Sequence, residues 1–161
     1  MSRSSKEYWE KRAAPALRSV GQRTYSERLI ERETRALWNV LRTQLGESLK
    51  GSVLDIGSGI GRFLRFYDEL SSSLVGVDFS RSMLRICRKN CPNATLIHAD
   101  ASHLPLKERS FAVVSALVTL QHITDDNRRQ KAIREMIRVA KDDGILVILD
   151  ETLESFETRR R

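Results

Sequence analysis

Residues Val53 to Gly61 read VLDIGSGIG, and this stretch decides the fold. The apolar run that leads to Asp55 is typical of a buried strand. Glycines at alternate positions, Gly57, Gly59 and Gly61, then allow positive φ values and let a ligand approach the main chain closely. A helix is expected to begin just after them, and its first turn has unpaired N–H groups. The pattern therefore predicts a loop that binds a nucleotide cofactor.

A second apolar stretch runs from Val75 and ends in an acid, Asp78. In a parallel sheet the carboxyl ends of neighbouring strands meet at one edge, so the Asp78 carboxylate would stand beside the glycine loop. There it is placed to accept hydrogen bonds from two ribose hydroxyls. The two stretches together predict an adenosine site.

Four short segments extend this pattern in a fixed order. They are Asp55-x-Gly57-x-Gly59-x-Gly61, Val77-Asp78-Phe79-Ser80-x-x-Met83-Leu84, Ala99-Asp100-Ala101-x-x-Leu104-Pro105 and Leu120-Gln121-His122-Ile123. Together they resemble the class I S-adenosylmethionine-dependent methyltransferases, most of all the small-molecule type of ubiquinone and menaquinone biosynthesis (type 11). The resemblance covers residues 51 to 150, and four ordered segments are far more specific than a lone glycine motif.

The resemblance implies how S-adenosyl-L-methionine, the expected cofactor, would lie in the site. Its methionine part would follow the glycine loop, and its ribose would meet Asp78. Its adenine would lie against Phe79 and Met83, while Asp100 and the Ala101 amide would meet the polar edge of the ring. The implied cofactor-binding residues in this core are Asp55, Gly57, Ser58, Gly59, Gly61, Asp78, Phe79, Met83, Asp100, Ala101 and Leu117, the last through its backbone.

Two of these residues have a second interpretation. Met83 can serve core packing alone, since methionine fills irregular gaps. Asp100 can cap its own loop, although its place at the carboxyl end of a strand and the following Leu104-Pro105 favour adenine binding.

An aromatic-rich helix near the N-terminus closes over the cofactor in related enzymes. Tyr8 and Trp9 lie in such a segment, and Arg12 could pair with the methionine carboxylate through a charge-assisted hydrogen bond. The alternative is that Tyr8 and Trp9 only fasten this helix to the domain.

His122 is the candidate catalytic residue. A histidine near its ordinary pKa can take a proton from a hydroxyl group or an acidic carbon. It can equally cap the helix expected to begin near Thr124. Strand four departs from the family pattern, with Phe111-Ala112 where the family has Phe-Asp, so the pattern does not indicate a side-chain grip on the substrate there. His98 and His103 have no second ligand at metal spacing, so no metal is expected.

The alternation of patterns predicts an α/β fold. We expect a Rossmann-like doubly wound parallel sheet of about five strands, with helices on both faces. The family's last two strands are expected to be missing, which leaves strand five as an apolar edge for a second copy, a partner chain or the folded-back tail to cover. Residues 1–48 are expected to form a helical lid segment and residues 49–161 the cofactor-binding core. Strands are predicted at 52–56, 73–78, 94–98, 111–117 and 144–149, with helices at 6–12, 24–46, 60–70, 81–90 and 125–140.

The composition limits the binding partners and the location that can be expected. Of the net charge of +7, residues 1–50 carry +5, which leaves RNA open as a substrate, although interleaved Glu and Arg residues favour a solvated helix face. No apolar run reaches the roughly 18 residues that a membrane span needs, and no secretory signal is expected. Cys87 and Cys91 are expected to be buried free thiols, which favours a reducing cytoplasm.

The predicted function is methyl transfer to a small-molecule acceptor. A nicotinamide-dependent oxidoreductase is the first rival, but its fingerprint needs a glycine where Arg62 stands. The second rival is a module that binds the cofactor as a partner or regulatory subunit and has no catalysis of its own.

Overall fold

Five parallel strands form one sheet. The computed structural model of the chain describes residues 9–10 and 25–150, with the backbone alone for 25–30. The strands follow the spatial order β3-β2-β1-β4-β5, and every neighbouring pair is parallel. Their bounds are β1 Ser52–Ile56, β2 Ser73–Asp78, β3 Thr95–His98, β4 Phe111–Leu117 and β5 Ala140–Leu149.

Helices cover both faces of this sheet. Their bounds are α1 Tyr25–Leu45, α2 Leu64–Asp68, α3 Arg81–Asn90 and α4 Asp126–Val139, with short 3₁₀ helices at Gly46–Lys50 and Leu120–His122. Val53 packs with the α1 and α2 cluster, whereas the next residue, Leu54, packs with α4, because successive strand side chains point to opposite faces. The predicted doubly wound, Rossmann-like fold is confirmed.

Helix α1 packs its apolar face on the core. Trp38 stacks on Phe66 at 5.5 Å between ring centroids and meets Tyr67 edge-on at 5.1 Å. Val40 in the same helix is exposed, because the buried face is centred on Trp38. The division of the chain at residue 48 stays a prediction.

Two element boundaries differ from the predicted ones. The helix expected over 60–70 occupies only Leu64–Asp68, since the glycine loop continues as turns, with the Gly61 N–H donating to Ser58 O at 2.9 Å. The last strand begins at Ala140 rather than 144. Phe111 pairs with Ala140 and Val113 with Ile145, so the intervening residues of β5 bulge out of the ladder.

Strand β5 is a sheet edge with exposed apolar side chains. Leu146 is 36% exposed and Ile148 47%, and Ile137 on α4 is 58% exposed. The two β5 residues are two positions apart, so they lie on one face of the strand. The expectation of an apolar edge at strand five is confirmed. None of the helices in the described ranges is both long enough and apolar enough to cross a membrane.

Gly61 contacts two buried free thiols, those of Cys87 and Cys91. A Cβ on Gly61 would lie 2.8 Å from Cys91 Sγ and 3.0 Å from Cys87 Sγ, and its φ is +84°. Gly46 has a φ of +50° but nothing within 4 Å of its Cβ position. Comparing the same substitution at the two glycines therefore separates the cost of backbone strain from the cost of steric overlap.

Gly61→Ala is expected to destabilise the fold more than Gly46→Ala. Gly46→Ala should lower the free energy of unfolding by about 1 kcal/mol through its backbone angle alone. Gly61→Ala adds overlap with the thiols and should cost about 2–4 kcal/mol. Urea denaturation of both variants measures the difference. Equal losses would show that the thiols make room for a methyl group.

Candidate functional site

One cavity of about 520 Å³ opens at the carboxyl ends of the strands. It lies where the sheet order reverses between β1 and β4, the position at which open α/β sheets bind ligands. Twelve of the residues predicted from the sequence line it: Trp9, Asp55, Gly57, Ser58, Gly59, Asp78, Phe79, Met83, Asp100, Ala101, Leu117 and His122. Gly61 is not among its walls and lies against the thiols instead, and Tyr8 and Arg12 lie outside the described residues.

The glycine loop wraps around the end of β2. The N–H groups of Gly57 and Ser58 both donate to Val77 O, at 2.7 and 3.0 Å. Gly57 has a φ of +73°, and a Cβ there would overlap the side chain of Thr119. The loop therefore needs glycine at this position both for its backbone angle and for contact with the β4 side of the cavity.

Asp78 holds the loop from the second strand. One carboxylate oxygen accepts the Gly59 N–H at 2.9 Å, and the other accepts the Ser80 N–H at 2.8 Å. Burial raises the pKa of Asp78, and these two hydrogen bonds oppose that rise. Since each carboxylate oxygen has a further lone pair, Asp78 can still accept two hydroxyl donors from the cavity.

Asp55 is the more deeply buried acid, with 3% exposure at the end of β1. Burial raises its pKa to about 7, the hydrogen bond from Ser115 Oγ at 2.8 Å opposes this, and the charge of Asp78 adds to it. Its carboxyl group therefore changes charge near neutral pH. A cationic ligand group in the cavity would favour the ionised form.

Asp100 both caps its loop and lines the cavity. Its Oδ1 accepts the N–H and the hydroxyl of Ser102, at 2.9 and 2.8 Å, while Oδ2 accepts a bond from the Arg128 guanidinium. Met83 likewise has two roles, since it packs with Ile86 and also lines the cavity. Loop capping by Asp100 and core packing by Met83 are therefore both compatible with contact to a ligand in the cavity. Contact of either residue with adenine stays a prediction.

His122 does not cap α4. That position belongs to Asp125, whose carboxylate accepts the Arg128 N–H at 3.1 Å. The His122 ring lies in the cavity wall, 4.9 Å from the Trp9 ring in an edge-on arrangement. The alternative of a capping histidine is wrong, and the role of His122 as a base stays a prediction.

Val118 carries backbone strain at the cavity wall. Its φ is +56°, a conformation that a β-branched residue rarely adopts, and its N–H donates to Leu149 O at 2.6 Å. This bend follows β4 directly and turns Thr119 toward Gly57. No side-chain pattern indicates such a bend, so the sequence could not reveal it.

Several wall residues were not predicted. Arg62 follows the last glycine and was considered only as a mismatch to a nicotinamide fingerprint, while Arg128 lies in a helix whose start carries no motif. The walls that the sequence did not single out as binding residues are Ile56, Ile60, Arg62, Phe63, Val77, Ala99, Val118, Thr119, Ile123 and Arg128. Within the described part of the chain, no group of three or more His, Cys, Asp or Glu residues could hold a metal ion.

The sheet, the glycine loop and the paired acids define a Rossmann-like cofactor-binding domain. Residues 54–148 match the family model described as Methyltransferase domain. Because this match spans more than half of the chain, the protein belongs to that family, as a class I S-adenosylmethionine-dependent methyltransferase domain that resembles the quinone-biosynthesis type.

Curated relatives extend beyond the length of this chain. It is 31% identical over 125 residues to the ubiquinone/menaquinone biosynthesis C-methyltransferase UbiE of Campylobacter jejuni subsp. jejuni serotype O:23/36 (strain 81-176), covering 73% of this chain and 51% of that protein. It is 32% identical over 124 residues to the tRNA (carboxymethyluridine(34)-5-O)-methyltransferase of Arabidopsis thaliana, covering 76% and 30%. The chain thus spans about half or less of the length of these relatives.

Solved structures share the fold. The PH0226 protein of Pyrococcus horikoshii OT3 superposes with a TM-score of 0.75 at 26% identity, covering 96% of this chain and 66% of that one. Phosphoethanolamine N-methyltransferase 1 of Haemonchus contortus, in complex with phosphoethanolamine and S-adenosylhomocysteine, gives a TM-score of 0.76 at 23% identity, covering 94% and 32%. This second likeness concerns the fold alone.

Proposed function

We propose that this chain binds S-adenosyl-L-methionine in the 520 Å³ cavity and transfers its methyl group to a small-molecule acceptor. The observation that carries the proposal is the pair of buried acids, Asp55 and Asp78, on either side of the glycine loop in one cavity. The donor set fits the cofactor, because Asp78 has acceptor capacity for a ribose diol and Asp55 faces the cavity with a carboxyl group suited to a cation. When bound, the cofactor supplies an electrophilic methyl group on its sulfonium.

The residues of this chain would then act mainly by positioning. Methyl transfer needs an in-line approach within contact distance and a site that excludes water. Apolar walls from Trp9, Phe63 and Phe79 provide the water-poor part of the cavity. His122, on the β4 side of the same cavity, is placed to accept a proton that the acceptor loses.

The acceptor belongs to one of two classes. A small molecule is favoured because the surface of the cavity is mostly apolar, and a relative named for quinone C-methylation supports it. RNA is the alternative, supported by the +5 charge of residues 1–50 and by the tRNA-methylating relative. Binding to RNA that falls steeply as salt rises would favour the second class.

Titration calorimetry distinguishes the proposed methyltransferase from a nicotinamide-dependent oxidoreductase. We expect S-adenosylhomocysteine to bind and NADH to give no heat at this site. A preparation stabilised by NADH alone would replace the methyltransferase with an oxidoreductase. Radiolabelled donor incubated with a cell extract then tests catalysis, and a cofactor that binds without any label transfer would favour the non-catalytic module.

His122→Ala is expected to lower methyl transfer by about 100-fold or more, because the acceptor loses its general base. Affinity for S-adenosylhomocysteine should change by less than about threefold, since most of the proposed cofactor contacts lie at the ends of β1, β2 and β3. Label transfer to the extract fraction that the wild-type protein methylates measures the rate. Gln130→Ala, which alters an exposed residue of α4 outside the cavity walls, is the control. Equal rates for wild type and His122→Ala would remove His122 from the mechanism.

A second copy of the chain is proposed to cover the β5 edge. Leu146 and Ile148 are exposed on the outermost of the described strands, and this favours an isologous contact between two copies. Ile148→Lys should then shift the sedimentation coefficient from dimer to monomer, whereas Val40→Lys, at an exposed apolar site on α1, should not. A wild-type protein that sediments as a monomer at all concentrations would contradict the proposal.

A cytoplasmic location is also proposed. It rests on the buried free thiols of Cys87 and Cys91, which suit a reducing compartment. Fractionation of cells that produce the protein tests it.

A further inference from the structure

An ion pair between Arg128 and Asp100 spans two segments of the cavity wall. Asp100 lies in the loop after β3, and Arg128 lies in the first turn of α4. Their side chains are 31% and 35% exposed for Arg128 and Asp100, and both residues line the cavity. The pair therefore joins the adenine side of the predicted site to the segment that carries His122.

Three donors hold the Asp100 carboxylate. Ser102 supplies its N–H and its hydroxyl to Oδ1, and the Arg128 guanidinium donates to Oδ2. A carboxylate has about four acceptor positions, so Oδ2 retains one for a ligand. Both Ser102 bonds go to the other oxygen, so the guanidinium is the described donor that acts directly on the oxygen with the open position.

The backbone beneath Arg128 is fixed as well. Asp125 accepts the Arg128 N–H with its side chain at 3.1 Å and the Arg129 N–H with its carbonyl at 2.9 Å. The Arg129 guanidinium also donates to Ile123 O at 3.1 Å. The side chain of Arg128 thus starts from a rigid helix end and reaches across to Asp100.

Fold stability does not account for this arrangement. A partly exposed ion pair contributes little to stability, about 0–1 kcal/mol. The orientation of an acceptor in a ligand cavity has a larger effect on recognition, because a purine amino group can donate to a carboxylate oxygen only within a narrow range of directions.

We propose that Arg128 is a positioning residue that orients Asp100 to accept the amino group of adenine, and so makes the site select adenine over hypoxanthine. The inference rests on the proposed function, because it takes an adenosyl ligand as given. Hypoxanthine carries a carbonyl oxygen where adenine carries the amino group. A carboxylate held by Arg128 and Ser102 together repels that oxygen, whereas a carboxylate held by Ser102 alone can turn Oδ2 away from it.

Calorimetry with two ligands tests the inference. The ligands are S-adenosylhomocysteine and S-inosylhomocysteine, which differ at purine C6 and in the proton that hypoxanthine carries on N1. Arg128→Ala should weaken binding of the adenosyl ligand by about 10-fold and lower the ratio of the two affinities by about fivefold or more. Arg128→Lys, which keeps the charge, should restore part of the ratio. Arg134→Ala, at an exposed arginine of the same helix, should leave both affinities unchanged.

A double variant distinguishes positioning from a general loss of structure. Asp100→Asn combined with Arg128→Ala should bind the adenosyl ligand no more weakly than Asp100→Asn alone, because Arg128 acts through Asp100. Equal weakening of both ligands by Arg128→Ala, or no weakening, would overturn the inference while the proposed function stands. A wild-type protein that binds neither ligand would overturn the proposed function itself.

Discussion

Asp78→Ala is expected to lower the affinity for S-adenosylhomocysteine by about 100- to 1,000-fold. The substitution removes the acceptor of two ribose hydroxyls. It also leaves the Gly59 and Ser80 N–H groups without their partner, so the glycine loop loses its side-chain contact with β2 and keeps only the bonds from Gly57 and Ser58 to Val77 O. Both effects act on the same ligand, which is why the expected loss exceeds that of one hydrogen bond. Titration calorimetry measures it.

Two further variants complete this experiment. Asp78→Asn keeps the shape of the side chain and one acceptor oxygen, so it should give an intermediate loss of affinity. Asp143→Ala removes an exposed acid in the β5 bulge and should change nothing. Circular dichroism confirms that each variant folds. An affinity for Asp78→Ala within threefold of the wild-type value, with the fold intact, would place the adenosyl site outside this cavity.

Affinity for S-adenosylmethionine is expected to rise by about 10-fold between pH 6 and pH 8, because the pKa of Asp55 lies at about 7. Below that pH the buried carboxyl group is neutral and attracts a cation weakly. Above it the carboxylate is ionised and interacts with the positive charge of the ligand, so the affinity levels off. Calorimetry across this range measures the slope.

The variant Asp55→Asn tests whether Asp55 causes this dependence of affinity on pH. The variant should bind about 10- to 100-fold more weakly at pH 8 and show little pH dependence between 6 and 8. The pKa of Asp78 is also raised by burial, so any slope that remains in Asp55→Asn belongs to Asp78 or to another group. An unchanged slope would show that Asp55 does not titrate in this range.

The same pKa makes a prediction about stability. The folded-state pKa of Asp55, about 7, exceeds the unfolded value, so the native state binds the proton more tightly. Stability from this group is full below the unfolded value of about 4, falls as pH rises toward 7 and then stays low, a difference of about 4 kcal/mol at most. Asp55→Asn should therefore have a higher Tm than wild type at pH 8 although it binds the ligand more weakly. A lower Tm at that pH would contradict the buried-acid account.

The sequence predicts this fold well where the signal is local. Two patterns each combine a strand with the turn that ends it: the run into Asp55 with its alternating glycines, and the run that ends in Asp78. Strands β1 and β2 lie where these patterns predict them. The predicted length of helix α2 was too great, because helical side-chain spacing continues through Phe63 while the backbone there still follows the turn at Gly61. A boundary of this kind depends on main-chain hydrogen bonds that side-chain patterns do not report.

The rest of the site depends on distant contacts. Arg128 meets Asp100 only because α4 packs back over the sheet, and nothing near Arg128 in the sequence indicates this. The strained backbone of Val118 is bonded to Leu149 on the neighbouring strand, so it too follows from the assembled sheet. Residue types and spacing therefore predict the cofactor side of the cavity better than the side that faces the acceptor.

The edge-on contact between Trp9 and His122 gives the protein an intrinsic optical probe. An imidazolium quenches indole fluorescence more strongly than a neutral imidazole does, so the emission of Trp9 should report the charge state of His122. The chain has two tryptophans, and the second, Trp38, is buried among Phe66 and Tyr67 in the core, where its emission gives a steady background. Ligand entry and proton transfer at this wall can thus be followed by spectroscopy on the unlabelled protein.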